Sequence, residues 1–367
     1  MKKLNKKLVI ILLFFSSALI LNFYSWNPNI IEKYYSTTIN KTIIEILSRI
    51  FQVFSFSLYE VTIISIVLFF ITYFIITIVK VIKNKALYKK IICDFLLNSL
   101  VILSVGYFLY VFMWTLNYKR VPFDEKIGLK NEQYTVEELA ELYKYLIDET
   151  NNLRVGTPVD KENNIATTLG DYNSVFERAN KGYEIAGEKY KTLEGNYGKP
   201  TKLLFSEFFN YTGITGIYLP FTGQPGVNIK APQMMIPVTT LHEMAHQRGY
   251  AREEEANFIA FLVCTLHPDI DFKYSGYALA LSYAGNALYI EDPELYKKLS
   301  KDLSDEVKND IQYRIDFWDG YSGKIEKVAS KINDTYLKSN GVDDGEKSYG
   351  RMLDLLLEYY FQEIKEN

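Results

Sequence analysis

Three stretches in the first third of the chain carry no charge: Leu8 to Tyr24, Val61 to Val79 and Phe95 to Leu116. Each approximates the roughly 20 residues that cross a hydrocarbon core of about 30 Å at a helical rise of 1.5 Å. The pattern therefore predicts three transmembrane helices. The first also has the basic start and apolar run of a signal peptide, but no small-x-small cleavage site follows it, which favours an uncleaved anchor. Between the first two spans, Ile39, Ile43, Ile46, Ile50, Val53 and Phe54 recur at helical spacing. They predict a helix that lies on the outer membrane surface or packs beneath a domain.

From Asn117 onward the chain turns polar while keeping amphipathic periodicity, so an anchor at residues 1–117 is followed by a domain at 118–367. Thr135-Val136-Glu137-Glu138 spells a capping box that opens a helix to about Asn152. Asp171 to Leu193 reads as another helix, Asp292-Pro293 and Ser304-Asp305 as the starts of two more, and Ser348 to Ile364 as a closing one. The exception is Tyr211 to Met235, where glycines and prolines separate extended pieces such as Gly216-Ile217-Tyr218-Leu219 and Gly226-Val227-Asn228-Ile229. Such a strand beside a catalytic helix can pair with an extended peptide, and irregular packing loops explain the same composition equally well.

Charge adds an orientation. Lys2, Lys3, Lys6 and Lys7 precede the first span, and Lys80, Lys83, Lys85, Lys89 and Lys90 separate the second from the third. Basic flanks prefer the cytoplasm, so three crossings place the domain outside it. The loop between spans one and two balances Lys33, Lys41 and Arg49 with Glu32, Glu45 and Glu60, which suits the outer side; Lys119 and Arg120, just after span three, run against the assignment. A net charge of −3 argues against nucleic acid as a partner. The only two cysteines, Cys93 and Cys264, provide no disulfide framework.

The chemistry centres on Thr240-Leu241-His242-Glu243-Met244-Ala245-His246-Gln247, in a chain with only three histidines. Four-residue spacing stacks His242 and His246 on one helical face, with Glu243 beside a water held against a metal: the HExxH pattern of zinc hydrolases. Catalytic zinc takes three protein ligands. Gly249 can end the first helix and lead through a tight turn into Glu253-Glu254-Glu255-Ala256-Asn257, the start of a second, amphipathic helix. Glu253 is the favoured third ligand because it shares a face with Asn257, which would hydrogen-bond a ligand histidine. Glu254 and Glu255 remain alternatives, and helix-start acids are favoured by the macrodipole alone. His267 lies more than three turns along the second helix and reads as a helix-end residue. Arg252 stands where an HExxHxxGxxH pattern needs its third histidine. Glu243 is then the general base and Tyr274 the candidate oxyanion donor, with Tyr277 as an alternative.

Trp114-Thr115-Leu116-Asn117-Tyr118, the run Gly213 to Gly223, the stretch from His242 to Leu262, Tyr274-Ser275-Gly276-Tyr277 and Ser348-Tyr349-Gly350 together resemble an uncharacterised bacterial membrane-protein family, domain of unknown function 3810. That resemblance covers nearly the whole chain and implies a zincin-like domain. Glu253-x-x-Ala256-Asn257 is also similar to the ExxAD or ExxAN helix of gluzincin peptidases, whose first glutamate binds zinc. The chain departs from them in the short separation between His246 and Glu253. Asn257 in place of aspartate is also a weaker acceptor.

The expected architecture is mainly α: a three-helix transmembrane anchor, then a mostly helical, zincin-like extracytoplasmic domain with a small β portion. The expected function is a membrane-anchored zinc metallopeptidase of the bacterial cell membrane, acting on peptides or proteins near the lipid bilayer. An intramembrane protease is disfavoured by the acids and glycine-rich chain around the motif. A non-catalytic cell-envelope binding domain, with structural zinc or none, is the alternative from a different class.

Overall fold

The computed structural model describes residues 2–24, 26–130 and 133–365; the side chains of residues 2–5, Lys2 and Lys3 among them, lie outside the description. Three helices are long and apolar enough to cross a membrane: α1 (Lys2–Phe23), α3 (Leu58–Lys83) and α4 (Tyr88–Met113). Each extends past its uncharged core at the lysine-bearing end, where nothing in the sequence breaks the helix. α1 and α4 run parallel, with Lys7 on Asp94 at one end (2.9 Å) and Asn22 on Tyr107 at the other (3.1 Å). α3 returns between them in sequence and joins α4 through Asn98 and Tyr73 (2.8 Å). Lys6 and Lys7 near the start of α1 and the lysines around the connection of α3 to α4 thus share one end of the bundle.

The helix expected between spans one and two is a π-helical run, Ile31–Asn40, continuing into α2 (Lys41–Phe51). Ile44 and Ser48 face inward, and Ser48 accepts the Gly198 amide (2.9 Å), so the element packs beneath the domain.

In the domain, α5 (Val136–Gly156) opens with the expected capping box: Thr135 Oγ1 accepts the Glu138 amide and Glu138 accepts that of Thr135. α6 (Tyr172–Lys189) is capped by Asp171. The strand pair β1 (Val159–Asp160) and β2 (Ile165–Ala166) precedes a three-stranded sheet of β3 (Thr201–Lys202), β4 (Gly216–Leu219) and β5 (Gln224–Val227). The sheet order is β3-β5-β4, parallel then antiparallel, which leaves β4 at an edge.

α7 (Ile236–Gln247), α8 (Glu253–Leu266) and α9 (Ile270–Glu291) form the centre, with α5 against α9 and α6 against α7 and α8. α8 is not amphipathic as expected. After Asn257 its sequence offers only apolar residues to Cys264, and it is buried all round, the pattern of a central core helix. α10 (Asp305–Tyr321) and α11 (Lys324–Ser339) follow one another in sequence and have few buried residues. The predicted closing helix is divided into a 3-10 segment, Gly345–Arg351, then α12 (Met352–Tyr359) and a π turn, Tyr360–Ile364.

Residues 114–118 tie the apolar helices to distant parts of the chain. Thr115 bonds Asn340 (3.0 Å), Asn117 bonds Asn40 and Ser36, and Trp114 packs with Tyr118, Ala251 and Leu337.

Candidate metal centre

α7 presents His242 and His246 on one face, with ring centroids 4.6 Å apart. The helix ends in a Schellman turn at Gly249, whose φ of +80° suits glycine: the Gly249 amide bonds the His246 carbonyl (2.9 Å) and the Tyr250 amide that of Ala245 (3.2 Å). The turn brings the Tyr250 carbonyl to His246 Nδ1 (2.6 Å). That bond directs Nε2 of His246 to the cluster.

Two residues after the turn α8 begins, and Glu253 returns to the histidines: Oε2 lies 3.3 Å from His242 Nε2 and Oε1 3.6 Å from His246 Nε2. One ligand atom from each residue falls within 4.8 Å of the others. The structure settles the register of the three acids. Glu254 pairs with Arg351 (2.7 Å), and Glu255 accepts from the Phe123 amide (3.0 Å) and Arg252 (3.2 Å). His267 is remote, between the Arg178 carbonyl and the Asp269 amide.

Buried guanidinium groups clamp the turn from outside. Arg120, 1% exposed, chelates Glu32 (2.9 and 3.0 Å), donates to the Arg248 carbonyl (3.0 Å) and lies 4.0 Å from the Tyr250 ring centroid. Arg248 donates to the Met244 carbonyl (3.0 Å) and stacks on Tyr183. Burial works to raise the Glu32 carboxyl, but Arg120 and Lys126 outweigh it and hold it below its ordinary value.

The charges of the cluster support one another. Burial opposes a proton on His246, yet Glu253 carries its imidazole up to about 9. Against the same burial, His246 and His242 hold Glu253 well below the usual carboxylate range. Glu243 is 4% exposed, and burial raises its carboxyl to about 7 despite the nearby imidazoles. Among the described residues neither Glu243 Oε2 nor His242 Nδ1 has a hydrogen-bond partner. Glu243 lies against Gly216 of the edge strand, where an added Cβ would stand 2.3 Å from Oε1. The donor set, two imidazoles and a carboxylate beside an orphaned carboxylate oxygen, fits a divalent metal with water.

Two expected roles are corrected. Asn257 does not hold a ligand histidine; it donates to Tyr283 (3.0 Å), because the Tyr250 carbonyl already takes His246. Tyr274 does not join the cluster: its hydroxyl donates to Asp310 (2.5 Å), which also takes Arg154 (2.6 Å), and Tyr277 pairs with Tyr145 (3.0 Å). The hydroxyls that feel Glu253 are those of Tyr118, Tyr283 and Tyr349; burial first, then Glu253, pushes Tyr283 up to about 12. Trp114 stands edge-on to His246 with centroids 5.5 Å apart. Nothing in its local sequence signals that contact.

Fold and site define a mainly helical protein with three membrane-length apolar helices and a two-histidine, one-glutamate cluster on consecutive helices. Comparison of the sequence with known families makes the assignment specific. The chain belongs to the family described as "Protein of unknown function (DUF3810)", which it matches over residues 35–357. No curated protein and no solved structure matches it.

Proposed function

We propose that the protein is a membrane-anchored zinc metallopeptidase whose domain faces away from the cytoplasm. The observation that carries this is the unpartnered Glu243 carboxylate oxygen beside His242, His246 and Glu253, with the open edge of β4 next to it. Three ligating side chains are the set of a catalytic zinc site, whose fourth position is left to water, whereas a structural site closes with four protein ligands.

His242, His246 and Glu253 would hold the zinc, which when bound supplies a Lewis acid that polarises a carbonyl and acidifies water. Glu243 takes the proton of the attacking water and passes it to the amine nitrogen as the peptide C–N bond breaks. The β4 edge offers backbone donors and acceptors to an extended peptide, and Tyr283 stays protonated and able to donate to a developing oxyanion. The orientation follows from the lysine-rich end of the bundle lying opposite Trp114 and the cluster. Arg120, which argued against it in sequence, is buried on Glu32 and counts little as a loop charge.

The test uses the full chain in phospholipid nanodiscs, with elemental analysis of the parent, Glu253→Gln and Glu243→Gln. The expected result is one zinc per chain in the parent and in Glu243→Gln, a sharp loss in Glu253→Gln, and peptide hydrolysis in the parent alone. A folded parent that takes up no zinc from added metal would overturn the proposal. Zinc bound without hydrolysis of any peptide in a complex mixture would leave the binding-domain reading standing in its place.

A further inference from the structure

The chain around the domain-side end of α3 carries an apolar surface that none of the described residues covers. Val53 (78% exposed) and Phe54 follow α2, whose Ile50 is also exposed, and Leu204, Phe205 and Phe208 (56% exposed) lie on and before the short helix Ser206–Asn210. The two groups adjoin: Phe56 bridges to Lys202, the Ser57 amide donates to the Lys202 carbonyl (2.8 Å), and the Phe54 and Phe56 ring centroids are 5.8 Å apart.

The depth of this surface follows from α3. The uncharged run Val61 to Val79 is about 28 Å long at 1.5 Å per residue, close to a hydrocarbon core of roughly 30 Å. Glu60, one residue before that run, therefore marks the edge of the core. Its carboxylate accepts the amides of Leu204 (2.5 Å) and Phe205 (3.2 Å), which ties this backbone to that depth. Exposed aromatic and aliphatic side chains at that level meet headgroups and acyl chains, where such residues are favoured.

We propose that the domain rests on the lipid bilayer through this surface, with Val53, Phe54, Phe205 and Phe208 seated at the boundary between headgroups and acyl chains. The contact adds a second attachment beside the spans. It also sets the height of the metal cluster, which Trp114 already ties to the end of α4. The proposal rests on the three helices crossing the membrane and is independent of any peptidase activity.

The experiment places a nitroxide label at V53C, F208C or I290C in the full chain carrying Cys93→Ser, reconstituted in phosphatidylcholine–phosphatidylglycerol nanodiscs. Cys264 is buried and stays unlabelled. Ile290 serves as control because it is 76% exposed and is followed by Glu291 and Asp292. Collision with oxygen, which concentrates in lipid, and with a water-soluble nickel chelate is then read at each site. A ratio of oxygen to nickel access several-fold higher at 53 and 208 than at 290 is the expected result. Equal ratios at all three sites would mean that the surface is in water and overturn the proposal, as would exclusion of both reagents at 53 and 208, which marks a protein partner or a second copy.

Discussion

Replacing Arg120 by methionine tests whether the turn carrying the third ligand is held from the anchor side. The variant loses two bonds to Glu32, one to the Arg248 carbonyl and the contact with the Tyr250 ring. Methionine fills much of the space, and Lys126 remains paired with Glu32, so the cost belongs at the low end for breaking a buried pair, about 3 kcal/mol. For a domain of this size that is a fall of about 6–12 °C in melting temperature, read from tryptophan fluorescence of the full chain in nanodiscs. Zinc affinity, measured against a competing chelator, should fall about 10–100-fold, as when the support of a ligand is removed. The effect also has a pH signature. Glu32 has a lowered pKa in the folded protein, so its pairing stabilises fully above the ordinary glutamate pKa and is lost as pH falls through the folded value. The gap between parent and Arg120→Met should therefore narrow on acidification. Glu32→Gln in the Arg120→Met background should add less than it does alone. A melting temperature within about 2 °C of the parent, with unchanged zinc affinity, would refute the clamp.

Three further outcomes are expected. Gly216→Ala drives a Cβ onto the Glu243 side chain, so zinc should be retained, stability should fall by about 1 kcal/mol, and hydrolysis should drop about 100-fold from misplacement of the base; unchanged hydrolysis would remove Glu243 from the reaction. Asp310→Asn strips the buried Arg154 of its partner and should cost about 3 kcal/mol in thermal unfolding, while Tyr274→Phe keeps zinc content and activity; loss of activity in Tyr274→Phe would restore it to the site. A fragment beginning at Tyr118 lacks Glu32, Trp114 and Asn117, and elemental analysis should find it poor in zinc beside the full chain; equal zinc and a cooperative melt would show that the domain needs nothing from the anchor.

The apolar runs, the HExxH spacing and the capping residues were legible because each is a local pattern whose physics acts within one or two turns. The third member of the cluster was legible in type but not in register. Three consecutive acids step by about 100° around a helix, and only the Schellman turn at Gly249 determines which one faces back. Glycine after the motif signalled that turn; its consequence, a backbone carbonyl on His246, has no side-chain signature to read. Asn257 shows the limit of spacing arguments. It lies on the expected side, but a nearer carbonyl had taken the histidine, and its amide went to Tyr283 instead. Tyr274 was a choice among many tyrosines, and its partner Asp310 lies a helix and a loop further along the chain, beyond any local pattern.

The least legible relation is the one that ties the site to the membrane. Glu32 comes from the segment between spans one and two, and Arg120 follows span three, yet they meet at the turn between α7 and α8. That meeting requires α1, α3 and α4 to be placed relative to one another, because both segments start from the same end of the bundle. The position of Glu253 depends in turn on that turn. An error in packing the apolar helices would therefore reach the cluster through one buried ion pair, without any change in the motif itself. This accounts for Arg120 being buried and charged at a site where a basic residue runs against the orientation rule. Its charge is consumed by Glu32, and what it contributes is the placement of a loop. The three apolar helices are accordingly part of the scaffold of the His242, His246, Glu253 cluster, beyond the role in a membrane proposed for them.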